Sequence, residues 1–277
     1  MNKWNRTQLL PDRPGIPPMA KMPEPETISL EALSGALSRG EYDCVCVLGP
    51  TASGKTRYAV QLARQLMEIP GTSPRMTEIL SADSRQVYRG MDIGTGKDLA
   101  EYGDVPYHLI DIAPAGAKFN IYQYQEAFAK AFADVKSRGV IPIICGGSGL
   151  YIESVTRAYK FEKGNGVDTE LLPKNTYYIG TLVSREERVR RIDVRLEARL
   201  KEGLVEEVQN LMKTVPAEDL IYYGLEYKFV TEYLLGKYGY DDMVMFLGNA
   251  IHQFAKRQMT WFRGMERDGV VIHWVNP

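Results

Sequence analysis

From residue 43 onward, short uninterrupted apolar runs alternate with longer stretches in which apolar residues recur at helical spacing. Runs of that length suit strands covered on both faces, and a 3.6-residue recurrence suits the helices that cover them. The pattern predicts strands at 43–48, 78–82, 107–112, 140–145, 176–183 and 270–275, and helices at 55–68, 121–138, 185–212, 226–236 and 241–265. Alternation of this kind implies an α/β fold built on a mainly parallel sheet, with the helices that close the chain forming a helical C-terminal part. Upstream, Leu30, Leu33 and Leu37 have helical spacing and Gly40 closes the segment. Residues 1–27 hold prolines at 11, 14, 17, 18, 23 and 25 and little periodic apolar content, so an extended or disordered extension is expected. The organisation expected is thus a proline-rich extension with a short helix over 1–40 and one domain over 41–277, in which 160–175 is a polar connection. There is no internal repeat.

Composition narrows the class. The 277 residues carry 34 Lys and Arg against 35 Asp and Glu, a formal net charge of −1, with 44% hydrophobic residues. Such a chain forms a globular core and is not a polyanion binder held by bulk charge; any nucleic-acid contact must come from local charge placement. No run reaches the roughly 18–20 apolar residues of a membrane span, and the N-terminus lacks a hydrophobic signal region, so a cytoplasmic protein is expected. Cys44, Cys46 and Cys145 lie in apolar runs and read as small buried strand residues in a reducing compartment. His108, His252 and His273 are too scattered to suggest a zinc site.

The sharpest local signal is Gly49, Pro50, Thr51, Ala52, Ser53, Gly54, Lys55 and Thr56, a complete G-x-x-x-x-G-K-[ST] loop between a predicted strand and a predicted helix. Its glycines let backbone N–H groups turn around phosphate oxygens, the helix N-terminus adds positive potential, and Lys55 neutralises an outer phosphate. Thr56 would place its hydroxyl on a Mg²⁺. The fold class expected is therefore a P-loop NTPase-like three-layer α/β fold. The loop does not choose between phosphoryl transfer and other chemistry on a diphosphate.

A second motif bears on that choice. The strand predicted to end at Ala82 delivers Asp83 to the carboxyl edge of the sheet, where open α/β folds bind ligands. Asp83 suits a Mg²⁺ ligand, a general base or the cap of a turn, and Asp111 competes for the metal role. In 185–212, Arg188, Arg191, Arg195 and Arg199 step along one helix flank beside Val189, Ile192, Leu196 and Leu200. A solvated charged face accounts for most such stripes; bidentate contact with a diphosphate is the alternative.

Residues 83–95 resemble the Asp-Ser-x-Gln-Val-Tyr-x-Gly-x-Asp-Ile-Gly-Thr signature of the tRNA dimethylallyltransferases, the isopentenyltransferases that modify an adenine beside the anticodon. The family's Gly-Pro-Thr-Ala-Ser-Gly-Lys-Thr stands unchanged at 49–56, Gly146-Gly147-Ser148-Gly149-Leu150-Tyr151 is similar to its Gly-Gly-Thr-x-x-Tyr turn, and 255–263 is similar to its Ala-Lys-Arg-Gln-x-Thr-Trp-x-Arg run. Together these span about 43–275.

The resemblance implies transfer of the five-carbon group of dimethylallyl diphosphate to N6 of adenine in tRNA. It makes Asp83 the base, gives Ser148 the hydroxyl role of the family threonine, and makes Arg195 a diphosphate ligand with the phosphate loop and Mg²⁺. Ser84, Arg85 and Gln86 would meet the substrate adenine and its loop, and Lys256, Arg257 and Arg263 the RNA phosphates; Phe254, Trp261 and Phe262 read as core. Bacterial members carry a helical insertion that grips the anticodon stem between the Gly-Gly-Thr turn and the Arg-rich helix. Here 151–184 offers only a strand-like stretch and the polar connection, so the insertion is expected to be absent. Transfer to a free adenine nucleotide, or a nucleotide-dependent phosphotransferase or binding role, are the alternative functions.

Overall fold

The computed structural model describes residues 22–69, 76–159 and 167–277. The proline-rich stretch 1–21 and part of the expected polar connection, 160–166, lie outside the described residues. In chain order the first half comprises α1 (Leu30–Ser38), β1 (Cys44–Leu48), α2 (Lys55–Met67), β2 (Thr77–Ser81), β3 (Tyr88–Arg89), β4 (Tyr107–His108), β5 (Ala113–Pro114), α3 (Ile121–Ser137), β6 (Ile141–Gly146) and α4 (Gly149–Thr156). The second comprises β7 (Thr176–Thr181), α5 (Arg185–Glu202), α6 (Leu204–Leu211), α7 (Ala217–Tyr223), α8 (Leu225–Leu234), α9 (Tyr240–Arg267) and β8 (Ile272–Val275).

Six strands form one sheet in the order β4-β2-β6-β1-β7-β8, and every pairing is parallel. Strand β1 is central and buried along its whole length, which is why its sequence is apolar at every position and not alternating. Its Val45 and Val47 face a core made with Leu33 and Leu37 of α1 and with Ala59, Leu62, Ala63 and Leu66 of α2. Cys44, Cys46 and Leu48 face the opposite core, filled by Tyr124 and Phe128 of α3, Ile152 of α4 and Phe262 of α9. The three layers expected from the sequence are present, and all three cysteines are free and buried in strands. Outside the main sheet, β3 and β5 form a two-stranded parallel pair.

Helix starts follow local chemistry. Ser29 Oγ accepts from Ala32 N ahead of α1, and Asn120 with Gln123 forms a complete capping box ahead of α3. Just before α1, Glu26 N donates to Trp274 O of the edge strand β8 at 2.7 Å, and Glu26 lies 2.9 Å from His273 Nδ1. The end of the proline-rich stretch therefore lies along the open sheet edge.

Three expectations need correction. The strand placed at 107–112 pairs only at Tyr107 and His108, because Leu109 and Asp111 take positive φ and turn the chain out of the sheet. The helix placed at 185–212 is two helices, broken at Gly203 with φ 104°. Helices α4 and α7 have no counterpart in the predicted set; both are shorter than nine residues, too short for a clear period.

At the other sheet edge, Glu78 of β2 is buried, accepts from both terminal nitrogens of Arg138 at 2.6 and 2.7 Å, and lies 2.7 Å from His108 Nε2. The guanidinium bonds hold its carboxyl down to about 2 from the usual 4.5, against burial, with His108 helping. A depressed carboxylate stabilises fully above its unfolded pKa and loses that contribution as pH falls through the folded value. Acid unfolding followed by circular dichroism from about pH 5 to about pH 2 is expected to be steeper for the wild type than for Glu78→Gln, which has no such carboxylate to titrate.

Candidate active site

Strands β2, β6 and β1 are neighbours, and their carboxyl ends open into one cleft, at the edge where α/β sheets bind ligands. The first wall is the phosphate loop at the end of β1. Gly54 (φ 81°) and Ala52 (φ 60°) carry the loop through left-handed backbone into α2. The Ser53 and Thr181 hydroxyls are 2.7 Å apart and fully buried, tying the loop to β7. A Cβ on Gly49 would fall 2.2 Å from Thr181 Oγ1, so only glycine fits there. Lys55 and Thr56 open α2 and line the cleft, where backbone amides and the helix dipole favour an anion. Desolvation lowers the Lys55 ammonium below the ordinary lysine value, with the Asp83 carboxylate opposing.

The second wall follows β2. Asp83 Oδ1 accepts from Arg85 N at 2.8 Å and Gln86 N at 3.4 Å, so the carboxylate caps its own turn and is fixed in orientation. The third wall follows β6, where Ser148 Oγ accepts from Ser84 N at 2.9 Å and donates to Ser84 Oγ at 3.1 Å. These two turns touch: a Cβ on Gly146 would fall 2.2 Å from Ala82 O. Asp83, Ser84, Arg85, Gln86 and Ser148 thus line the same cleft as Thr51, Lys55 and Thr56. Leu225, Ile251 and Phe254 add an apolar side, so the half-buried Phe254, expected in the core, is a cleft residue.

The Arg-rich helix reaches this cleft. Arg195 Nη2 contacts Asp98 Oδ2 at 2.5 Å and Gly96 O at 3.4 Å, and its side chain borders both the cleft and an adjoining cavity of about 240 Å³ with Arg191, Ala52 and Gly54. Arg199 Nη1 pairs with Glu226 Oε1 at 2.8 Å and donates to Gly94 O at 3.3 Å. Burial pushes the Glu226 carboxyl up, and Arg199 opposes that shift.

Several residues singled out in the sequence meet a different environment. Asp111 accepts from the buried Lys97 ammonium, which also reaches Asp92 Oδ1 and Tyr88 O, so its Oδ1 serves that ion pair. Arg263 is buried and paired with Glu266 at 2.8 Å, which removes it from the surface an RNA phosphate would touch. Lys256 and Arg257 are exposed, the latter 5.9 Å from the Phe254 ring centroid. Gln86 Nε2 donates to Gly96 O at 3.1 Å.

Comparison with known proteins identifies the chain. The family model for IPP transferase matches residues 86–174 and 160–265. The chain belongs to the IPP transferase family. Its sequence is 46% identical over 290 residues to tRNA dimethylallyltransferase 2 of Porphyromonas gingivalis, covering 84% of this chain and 93% of that protein. It is 44% identical to tRNA dimethylallyltransferase 1 of Parabacteroides distasonis, covering 85% and 92%. The crystal structure of the tRNA isopentenylpyrophosphate transferase of Bacillus halodurans superposes with a TM-score of 0.72 at 26% identity, over 84% of this chain and 89% of that one.

Within this IPP transferase-family chain, one residue that holds the 91–97 turn, Glu207, carries no signal in the sequence. Glu207 of α6 accepts from three successive backbone amides, Asp92 N at 2.9 Å, Ile93 N at 2.7 Å and Gly94 N at 3.0 Å, and from Tyr227 OH at 2.7 Å. Such a nest of N–H groups favours an anion, supplied here by the protein itself. No periodic or spacing signal marks Glu207, because the amides it holds lie more than 110 residues away. Removing it strands three backbone donors and the Tyr227 hydroxyl: Glu207→Ala is expected to cost about 1–3 kcal/mol. Hydrogen exchange at the amides of 92–94 is expected to quicken beyond what the global destabilisation accounts for.

Proposed function

We propose that the protein transfers the dimethylallyl group of dimethylallyl diphosphate to N6 of an adenine in tRNA. The observation that carries this reading is the single cleft in which the phosphate loop faces the Asp83 carboxylate and the linked Ser84 and Ser148 hydroxyls. The named relatives support it, being tRNA dimethylallyltransferases over most of their length.

The diphosphate would sit against the loop amides, Lys55 and Arg195. Adenine N6 attacks C1 of the allyl group; the C–O bond breaks and its electron pair leaves on the diphosphate oxygen. Cationic and N–H groups on the loop oppose that growing charge more in the transition state than before it. Both intramolecular bonds of Asp83 fall on Oδ1, so Oδ2 is the atom offered to the N6 proton. Ser148 keeps Ser84 and hence the Asp83 turn in place, and by turning its one proton from Ser84 Oγ to the departing oxygen it would fill the role that the resemblance gives the family threonine.

The residues fit a Mg²⁺. The Thr56 hydroxyl lines the cleft beside Lys55 and Asp83, and the ion would take its remaining ligands from diphosphate oxygens and water. When bound it would supply further positive charge to the leaving group.

We infer that the connection at 160–175 stands where the relatives carry an additional segment. The alignment to the Porphyromonas protein spans 290 residues but takes in 84% of 277, about 233, leaving roughly 57 positions without a counterpart. The two pieces of the family match meet at 160–174. A shorter chain loses surface for gripping RNA while the diphosphate site stays whole, which makes the acceptor the decisive measurement.

Incubation with labelled dimethylallyl diphosphate and Mg²⁺ is expected to label total tRNA and an isolated anticodon stem-loop. Label entering AMP instead would move the acceptor to a free nucleotide, and ATP turnover without transfer would overturn the transferase reading. Asp83→Ala is expected to lower transfer by about 10²–10⁴-fold while donor binding persists; a near-normal rate would remove Asp83 from the role of base.

A further inference from the structure

We propose that Gln258 is a positioning residue for this transfer, a strut that sets the separation between the phosphate loop and the turn carrying Ser148. The proposal rests on the transferase reading above. Gln258 projects from α9, is 7% exposed, and uses both ends of its carboxamide: Oε1 accepts from Thr51 N at 2.8 Å, and Nε2 donates to Gly147 O at 2.8 Å. Both partners are backbone groups with fixed roles, a donor and an acceptor, so the amide has one allowed orientation.

Its two anchors belong to opposite sides of the reaction. Thr51 lies in the loop that ends in Lys55 and Thr56, on the leaving-group side. Gly147 immediately precedes Ser148, whose hydroxyl holds Ser84 and with it the turn of Asp83, on the acceptor side. Between them the backbones are already close, since a Cβ on Gly147 would stand 2.5 Å from Gln258 Nε2, 3.2 Å from Gly49 O and 3.5 Å from Lys55 Cε. The carboxamide therefore acts as a fixed spacer between electrophile and base. Reacting atoms must meet at about 3–3.5 Å, and a misplacement near 1 Å costs about 10²-fold in rate. A polar side chain in the buried stripe of Ile251, Ala255, Met259 and Phe262 is otherwise costly, and both of its polar ends are satisfied here.

Two variants separate this role from general packing. Gln258→Leu keeps similar bulk and removes both bonds; Gln258→Glu keeps an acceptor for Thr51 N and loses the donor to Gly147 O. Steady-state transfer with dimethylallyl diphosphate and tRNA, calorimetric binding of inorganic pyrophosphate, and thermal unfolding would be measured for both and for the wild type. The expected result is a kcat lower by about 10²-fold in each variant, with KM for the donor and pyrophosphate affinity within about threefold of wild type. A kcat within twofold in both variants overturns the proposal. So does pyrophosphate affinity falling in step with kcat, which would assign Gln258 to the phosphate cradle, or loss of folding in both, which would make it structural. Absence of transfer by the wild type fails the transferase reading itself, and is seen before any variant is compared.

Discussion

The site depends on how closely three turns approach one another at the carboxyl edge of the sheet. A Cβ on Gly49 or on Gly146 would each fall 2.2 Å from a neighbouring oxygen, one a side-chain hydroxyl of β7 and the other the Ala82 carbonyl. Packing that tight leaves no room for a side chain at either glycine, and with Gly147 close to Gly49 O it sets the polar groups of the turns in mutual position. The sheet order makes this possible, because β2, β6 and β1 are adjacent although β6 follows β2 by some sixty residues. Preorganised dipoles need not reorient as charge develops, which is the main electrostatic resource of such a cleft.

Around this unit the second half of the chain supplies charge and restraint. Arg195 and Arg199 come from α5, Glu207 from α6 and Gln258 from α9, and each bonds a backbone or side-chain group in the first half, while Glu226 of α8 pairs with Arg199. The 91–97 turn is the focus: its amides are held by Glu207, its carbonyls by Gln86, Arg195 and Arg199, and its closing Lys97 is buried against Asp92 and Asp111. A near-neutral chain thereby concentrates cationic groups beside one cleft, as a diphosphate requires, without the general positive field of a bulk polyanion binder.

Much of this was legible in the sequence for identifiable reasons. The phosphate loop is local, so eight consecutive residues specify it, and the apolar runs of β1 and β6 announce a sheet covered on both faces. Asp83 stands out because it sits where a strand ends, and Ser148 because 146–151 is similar to a turn of the family. Gln258 and Arg199 lay in plain view within motifs already singled out, one a polar residue in a buried stripe and one a member of the arginine row. Their roles depended on partners distant in sequence, and neither spacing nor residue type names such partners.

The sequence alone determined the layer architecture and the phosphate cradle, because these rest on short-range patterns of apolar period, glycine and charge, and it pointed to the family through motifs that resemble the family's own. The tertiary structure decided which of the competing polar residues enter the cleft. It buried Arg263 against Glu266, turned Asp111 toward Lys97, and brought Arg195 to the mouth of the phosphate loop. Those outcomes follow from burial and charge pairing across more than one element, where a side chain goes to the partner that best offsets its desolvation, and the chain order carries no record of that choice.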